Sequence, residues 1–202
     1  MVGATGAAPT GASNPAAEAS GHVNLGLVLD GKGDLKGAEA EYRAALRAVP
    51  NDLNARNNLA GVMQRTDRVA EAVAIYEDIL KTHADYTAAW VNLGICRLRL
   101  EEMDAAVTAF DRALAREPGN IRALVNRGHA ELRRKESTRA ERDFKRAIEL
   151  SPGEVNAHFG LGLVAAEKGD FATARREFQK TLDLDPRHAS ARENLERLRG
   201  IN

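Results

Sequence analysis

Apolar and small residues recur along this chain at the three- and four-residue spacing of one face of an α-helix, and the runs come in pairs. One kind of run places a small residue, a ring and a second small residue on one stripe, as in Ala38, Tyr42, Ala45, then Ala106, Phe110, Ala113, then Ala140, Phe144, Ala147. The other kind puts a small residue directly after a leucine, as in Leu25-Gly26, Leu59-Ala60, Leu93-Gly94 and Leu161-Gly162. Gly33-Asp34 and Gly169-Asp170 separate the two kinds, glycine supplying a left-handed helix end and aspartate a cap for the next helix. The pattern predicts pairs of amphipathic helices, the first of each pair about fourteen residues long and the second a little shorter.

The pairs repeat with one period. Pro50, Pro118, Pro152 and Pro186 are spaced by 34 residues or twice that, and the missing member falls at Ala84. Alanine recurs at Ala38, Ala72, Ala106, Ala140 and Ala174, and four residues later stands Tyr42, Tyr76, Phe110, Phe144 or Phe178. Ending each unit two residues past its proline gives units 19–52, 53–86, 87–120, 121–154 and 155–188, followed by a tail, 189–202. No single unit buries its own stripe, so neighbours must stack.

Composition agrees with thin helical layers. Of 202 residues 44% are hydrophobic but only 4% aromatic, so alanine and leucine carry the packing and an all-α fold is expected. Lysine plus arginine and aspartate plus glutamate balance at 29 each, which gives no net field to gather nucleic acid or an anionic membrane. Cys96 is the single cysteine and reads as a small buried residue, and the five histidines have no metal-ligand spacing within a unit. No run is long enough to span a membrane and no export signal is visible. As written, the chain reads as cytoplasmic, or periplasmic if a signal has been removed. Residues 1–18, rich in glycine, alanine and proline, read as a flexible leader. Nothing resembles a phosphate loop, a nucleophile elbow or a cofactor fingerprint, so no catalytic residue, metal or cofactor is assigned and no enzymatic activity is expected.

The set Trp90, Leu93-Gly94, Ala106, Phe110, Ala113, Pro118 resembles the tetratricopeptide repeat motif almost place for place, and the resemblance covers residues 19–188. It implies a right-handed superhelical solenoid of antiparallel helix pairs whose first helices line a concave groove. The tail looks like a lone capping helix, with Leu195 in the leucine column and Glu196 where a small residue would be. Arg97 and Arg127 depart from the pattern by standing in apolar columns; their stems are expected to pack while their heads reach Glu131 or Asp104, or else to border a partner site.

With the helical phase fixed, the residues two places before each small residue face the groove: Asn24, Asn58, Asn92 and Asn126, with Gly160 breaking the series. A carboxamide donates and accepts, so such a row can bond the backbone of an extended peptide without reading its side chains. This resembles the asparagine ladder in the repeats of the protein glycosyltransferase that attaches N-acetylglucosamine. Asn54, Asn57 and Gln64 add amides, Val23, Val91, Val125, Leu27 and Ile95 are expected as an apolar floor, and Arg65, Arg99, Arg122, His129 and Arg133 as a positive rim that favours an acidic client. Val23, Asn57, Val91, Val125 and Phe159 occupy the places of the family's chaperone-clamp lysine, so that chaperone tail is not an expected ligand. The expected function is a protein–protein interaction module for a peptide client, as monomer or weak homo-oligomer. The alternatives are a self-associating or pilotin-like assembly scaffold, and the recruiting part of a larger enzyme such as a glycosyltransferase.

Overall fold

A computed structural model describes residues 14–200 of the chain. Among the described residues there are eleven helices and no strand: α1 (Pro15–Gly31), α2 (Leu35–Ala48), α3 (Leu53–Arg65), α4 (Val69–Thr82), α5 (Thr87–Arg99), α6 (Met103–Arg116), α7 (Ile121–Arg133), α8 (Ser137–Leu150), α9 (Val155–Glu167), α10 (Phe171–Leu184) and α11 (Ala189–Arg197). They fall into two compact units, Met1–Ile75 and Tyr76–Asn202, the division lying within α4. In the first unit α2 packs against both α1 and α3, and α1 also touches α3. In the second, each helix from α5 to α11 packs on the next, while α5 touches α7 and α7 touches α9, so the first helices of successive pairs lie side by side.

The helix ends follow local chemistry. Asp34 and Asp170 accept hydrogen bonds from Gly37 N at 2.9 Å and Thr173 N at 3.0 Å, which caps α2 and α10 as expected. Asp52 and Asn120 do the same for α3 and α7, accepting from Ala55 N at 2.8 Å and Ala123 N at 3.0 Å. Gly33 and Gly169 take the left-handed conformation, with φ of 82° and 77°. Asp67, Glu101 and Lys135, each a whole number of periods from those glycines, share it with φ of 65°, 61° and 66°. The carbonyl at the loop's proline place is also gripped repeatedly within the second unit. Trp90 Nε1 donates to Ala84 O at 2.9 Å, His158 Nε2 to Pro152 O at 3.0 Å, and Arg192 Nη2 to Pro186 O at 2.6 Å. In these three loops the side chain six residues after the proline place ties the loop, even where alanine replaces the proline, whereas after Pro118 that place is held by the apolar Leu124.

The small columns are explained by contact with the rings. A Cβ added to Gly26 would lie 2.5 Å from the Tyr42 ring, and one added to Gly94 would lie 2.5 Å from Phe110. At Gly128 and Gly162 the corresponding distances, to Phe144 and Phe178, are 2.7 Å and 2.4 Å. Each ring is fully buried against its partner helix. Cys96 is buried too, and burial pushes its thiol up to about 11.

Several expectations are revised. Helix α1 starts at Pro15, capped by Asn14, so the last residues assigned to the leader are helical; residues 1–13 lie outside the described residues. The first helices α3, α5, α7 and α9 have 13 residues and the second helices α2, α4, α6, α8 and α10 have 14, the reverse of the expected order. Val23, Val91 and Val125 are buried, so they belong to the core more than to an open floor, whereas Leu27 is exposed and Ile95 half-buried.

Candidate functional site

In the first unit Asn24 is exposed on α1, while Asn57, Asn58 and Gln64 are half-buried on α3. Asn57 Nδ2 lies 3.5 Å from Asn58 Oδ1. Arg65 is engaged with the Asp30 carboxylate, a tie from α3 to α1.

In the second unit Asn92 is half-buried on α5 beside the Tyr76 hydroxyl, which burial pushes well above the ordinary phenol range. Asn126, half-buried on α7, donates from Nδ2 to Arg122 O one turn back at 2.7 Å, which holds the side chain against its own helix. A carboxamide has two N–H donors and an acceptor oxygen, so this bond leaves capacity for a ligand. Asn126 borders an open depression of about 310 Å³, together with Ile121, Arg122 and Val125 of α7 and Glu154 and Asn156 at the start of α9.

The charged members of the set behave differently from a uniform positive rim. Arg133 bonds Glu101 at 3.0 Å and the Leu98 carbonyl at 3.5 Å, joining the end of α7 to the turn before α6. His129 packs edge-on to Phe144 with centroids 5.0 Å apart and planes at 64°, and burial pushes its imidazole below the ordinary histidine range. It is therefore neutral at neutral pH. Arg99 is exposed on α5.

The break at Gly160 has a packing cause. A Cβ there would stand 2.4 Å from the Phe144 ring, so the ring occupies the space that a longer residue needs. The column resumes one period later at Asn194 on α11, where Nδ2 donates to Ser190 O at 2.8 Å, the bond already seen at Asn126. Sequence reasoning passed over Asn194 because it lies in the incomplete tail, although its 34-residue spacing from Gly160 was visible. Sequence reasoning missed Glu154 and Asn156, which stand at the cap and first turn of α9, outside the asparagine column.

Arg127 finds neither partner expected for it. Its Nε and Nη2 meet Asp143 Oδ2 and Oδ1 at 2.8 Å and 2.7 Å, and Nη1 meets Asp111 at 2.6 Å. Asp143 is almost fully buried, and its carboxylate is the first cause holding the Arg127 guanidinium firmly protonated. Arg134 takes Glu131 and Asp104 instead, at 2.7 Å and 2.8 Å. Arg97 pairs with Glu77 and Glu102. Among the described residues no three histidine, cysteine, aspartate or glutamate side chains converge as metal ligands, and no helix is long and apolar enough to cross a membrane.

Paired helices, ring-and-glycine contacts and a 34-residue period define a helical repeat protein. The Tetratricopeptide repeat family profile matches residues 12–52, 23–76, 63–121 and 125–189, and the chain belongs to that family. No curated protein matches it by sequence. Among solved structures it is similar to a tetratricopeptide repeat protein from Parabacteroides merdae ATCC 43184, with 25% identity over 90% of this chain and 72% of that one and a TM-score of 0.76. MamA from Desulfovibrio magneticus RS-1 shares 20% identity over 85% of this chain and 97% of that one, at a TM-score of 0.74. YrrB, described as a TPR protein with an unusual peptide-binding site, shares 22% identity over 87% of this chain and 90% of that one, at 0.70. Membership makes the chain a protein-interaction module with protein or peptide partners.

Proposed function

We propose that the chain holds an extended peptide segment along the first-helix face of its second unit, with Asn92 and Asn126 bonding the peptide backbone. The depression beside Asn126 carries the reading. It is concave, it combines the apolar sides of Ile121 and Val125 with amide and guanidinium groups, and it lies between two neighbouring first helices. Amides at successive points suit main-chain recognition, because every peptide unit offers one donor and one acceptor at regular spacing. YrrB, with its peptide-binding site, is similar in fold.

The test is selection of peptides from a displayed library on the full chain, followed by titration of a selected peptide into the protein and its variants. A net hydrogen bond contributes about 1 kcal/mol, so Asn92→Ala and Asn126→Ala should each raise Kd about fivefold and together more than tenfold, with helix content unchanged. A selected peptide that binds the double variant as tightly as the parent removes the ladder from the account.

A further inference from the structure

We infer that α1 is a dimerisation helix, pairing antiparallel with α1 of a second copy of this chain across a two-fold axis at Leu25. Leu25 and Val28 are 47% and 52% exposed. One period later the same two places are held by Leu59 and Val62, at 4% and 0% exposure on α3, where α2 packs. The Val28 place is buried in every later pair, as Cys96, Ala130, Val164 and Leu198. Gly21 stands in a column otherwise filled by Ala55, Ala89, Ala123, Ala157 and Ala191, all fully buried, yet a Cβ at Gly21 would meet nothing within 4 Å. The face of α1 that bears Gly21, Leu25 and Val28 is therefore built like the faces that receive a helix, and no helix among the described residues covers it.

The pattern along that face selects the occupant. Glu18, Gly21, Leu25, Val28 and Lys32 follow one another at alternating three- and four-residue steps, the spacing of a helix–helix seam. All five are exposed, and neither Glu18 nor Lys32 forms an ion pair among the described residues. The stripe is complementary to its own reversal. Turned about Leu25, it sets Leu25 against its copy, Gly21 against Val28 and Glu18 against Lys32, so the apolar centre closes and both ends pair opposite charges. A self-complementary patch is what an isologous contact requires. The small Gly21 gives room for the facing Val28. One helix pair falls at or below the low end of specific interfaces, roughly 1,200 Å² in total, so the dimer is weak and forms in the micromolar range or above.

Sedimentation equilibrium of the full chain from about 10 to about 500 µM should show a reversible monomer–dimer equilibrium. Leu25→Glu should weaken it more than tenfold without loss of helix content. Glu18→Lys and Lys32→Glu should each weaken it several-fold, and the double variant E18K/K32E should restore it. Leu25→Cys should cross-link into a disulfide dimer under mild oxidation, since Cys96 is buried, while Ser20→Cys, exposed on another side of α1, should not. A chain that stays monomeric throughout, or a dimer indifferent to Leu25→Glu, overturns the inference. A dimer that Leu25→Glu breaks but the double charge exchange leaves broken overturns the antiparallel pairing.

Discussion

The pair α7–α8 and the pair α9–α10 have the same helix lengths and the same ring-on-glycine contact, but they fill the surface between pairs with different chemistry. Where α7 presents Arg127, α9 presents Leu161, and the small residue Ala165 replaces Glu131. Beside Arg127, among α6, α7 and α8, the result is a cleft of about 460 Å³ dominated by arginines and carboxylates. One repeat on, Leu161, Val164 and Ala165 form an apolar strip edged by Glu141, Lys145 and Lys168. A repeat thus fixes where side chains meet, while the kind of force at the meeting point is free to change if both partners change together. Arg127 is tolerable because Asp143 stands where repeat three has Ala109; an apolar residue in the arginine's place would strand that carboxylate.

The largest expected effect comes from breaking that match. Arg127→Leu gives α7 the residue of α9 and leaves Asp143, almost fully buried, without its bidentate partner. Loss of one partner from a buried pair costs about 3–5 kcal/mol, which should appear as a lower midpoint in urea unfolding. The double variant R127L/D143A copies the Leu93 and Ala109 combination and should recover most of the loss, since replacing a buried pair by packed apolar residues is often neutral. If R127L costs less than about 1 kcal/mol, solvent already satisfies Asp143 and the ion network is only a surface feature.

The second effect tests the opposite exchange, giving α9 the asparagine that α7 carries. Gly160→Asn would complete the column on paper, but its Cβ would meet the Phe144 ring at 2.4 Å. Overpacking of this kind costs typically about 1–3 kcal/mol, so the variant should be destabilised and should gain no peptide affinity. If the variant is fully stable, the ring has somewhere to move, and the break in the column has another cause.

These two exchanges also show what the sequence makes legible. The period, the helix pairs, the ring positions and the caps at Asp34 and Asp170 follow from local spacing, because each concerns residues on one helix or one turn. The asparagine column was legible for the same reason. The partners of Arg127 were not: Glu131 lies one turn along the same helix and was a natural choice, whereas Asp143 lies on the next helix and meets Arg127 only through α7–α8 packing. The cause of the Gly160 break was hidden likewise, since the obstructing ring belongs to the preceding pair. The start of α1 was misplaced because glycine and alanine dominate the approach, while the Asn14 cap and Pro15 at the first helical position mark the true boundary.

The smallest exchange concerns the turn between the two helices of each pair. Gly169 holds φ of 77° before α10, and Lys135 holds φ of 66° at the same place before α8. A side chain in this conformation crowds its own backbone and costs about 1 kcal/mol relative to glycine. Lys135→Gly should therefore stabilise the chain, although the gain is reduced by the greater freedom of glycine in the unfolded state. Lys135 offers little to lose, being 85% exposed and 3.9 Å from Glu167. The net expectation is a rise of about 0.5 kcal/mol in unfolding free energy, with an unchanged denaturant slope. Glu101, in the same conformation, sharpens the comparison because it accepts from Arg133 at 3.0 Å. Glu101→Gly removes that bond along with the strain and should gain less than Lys135→Gly. Equal gains at both places would show that the Arg133 contact contributes nothing to holding α7 to the turn before α6.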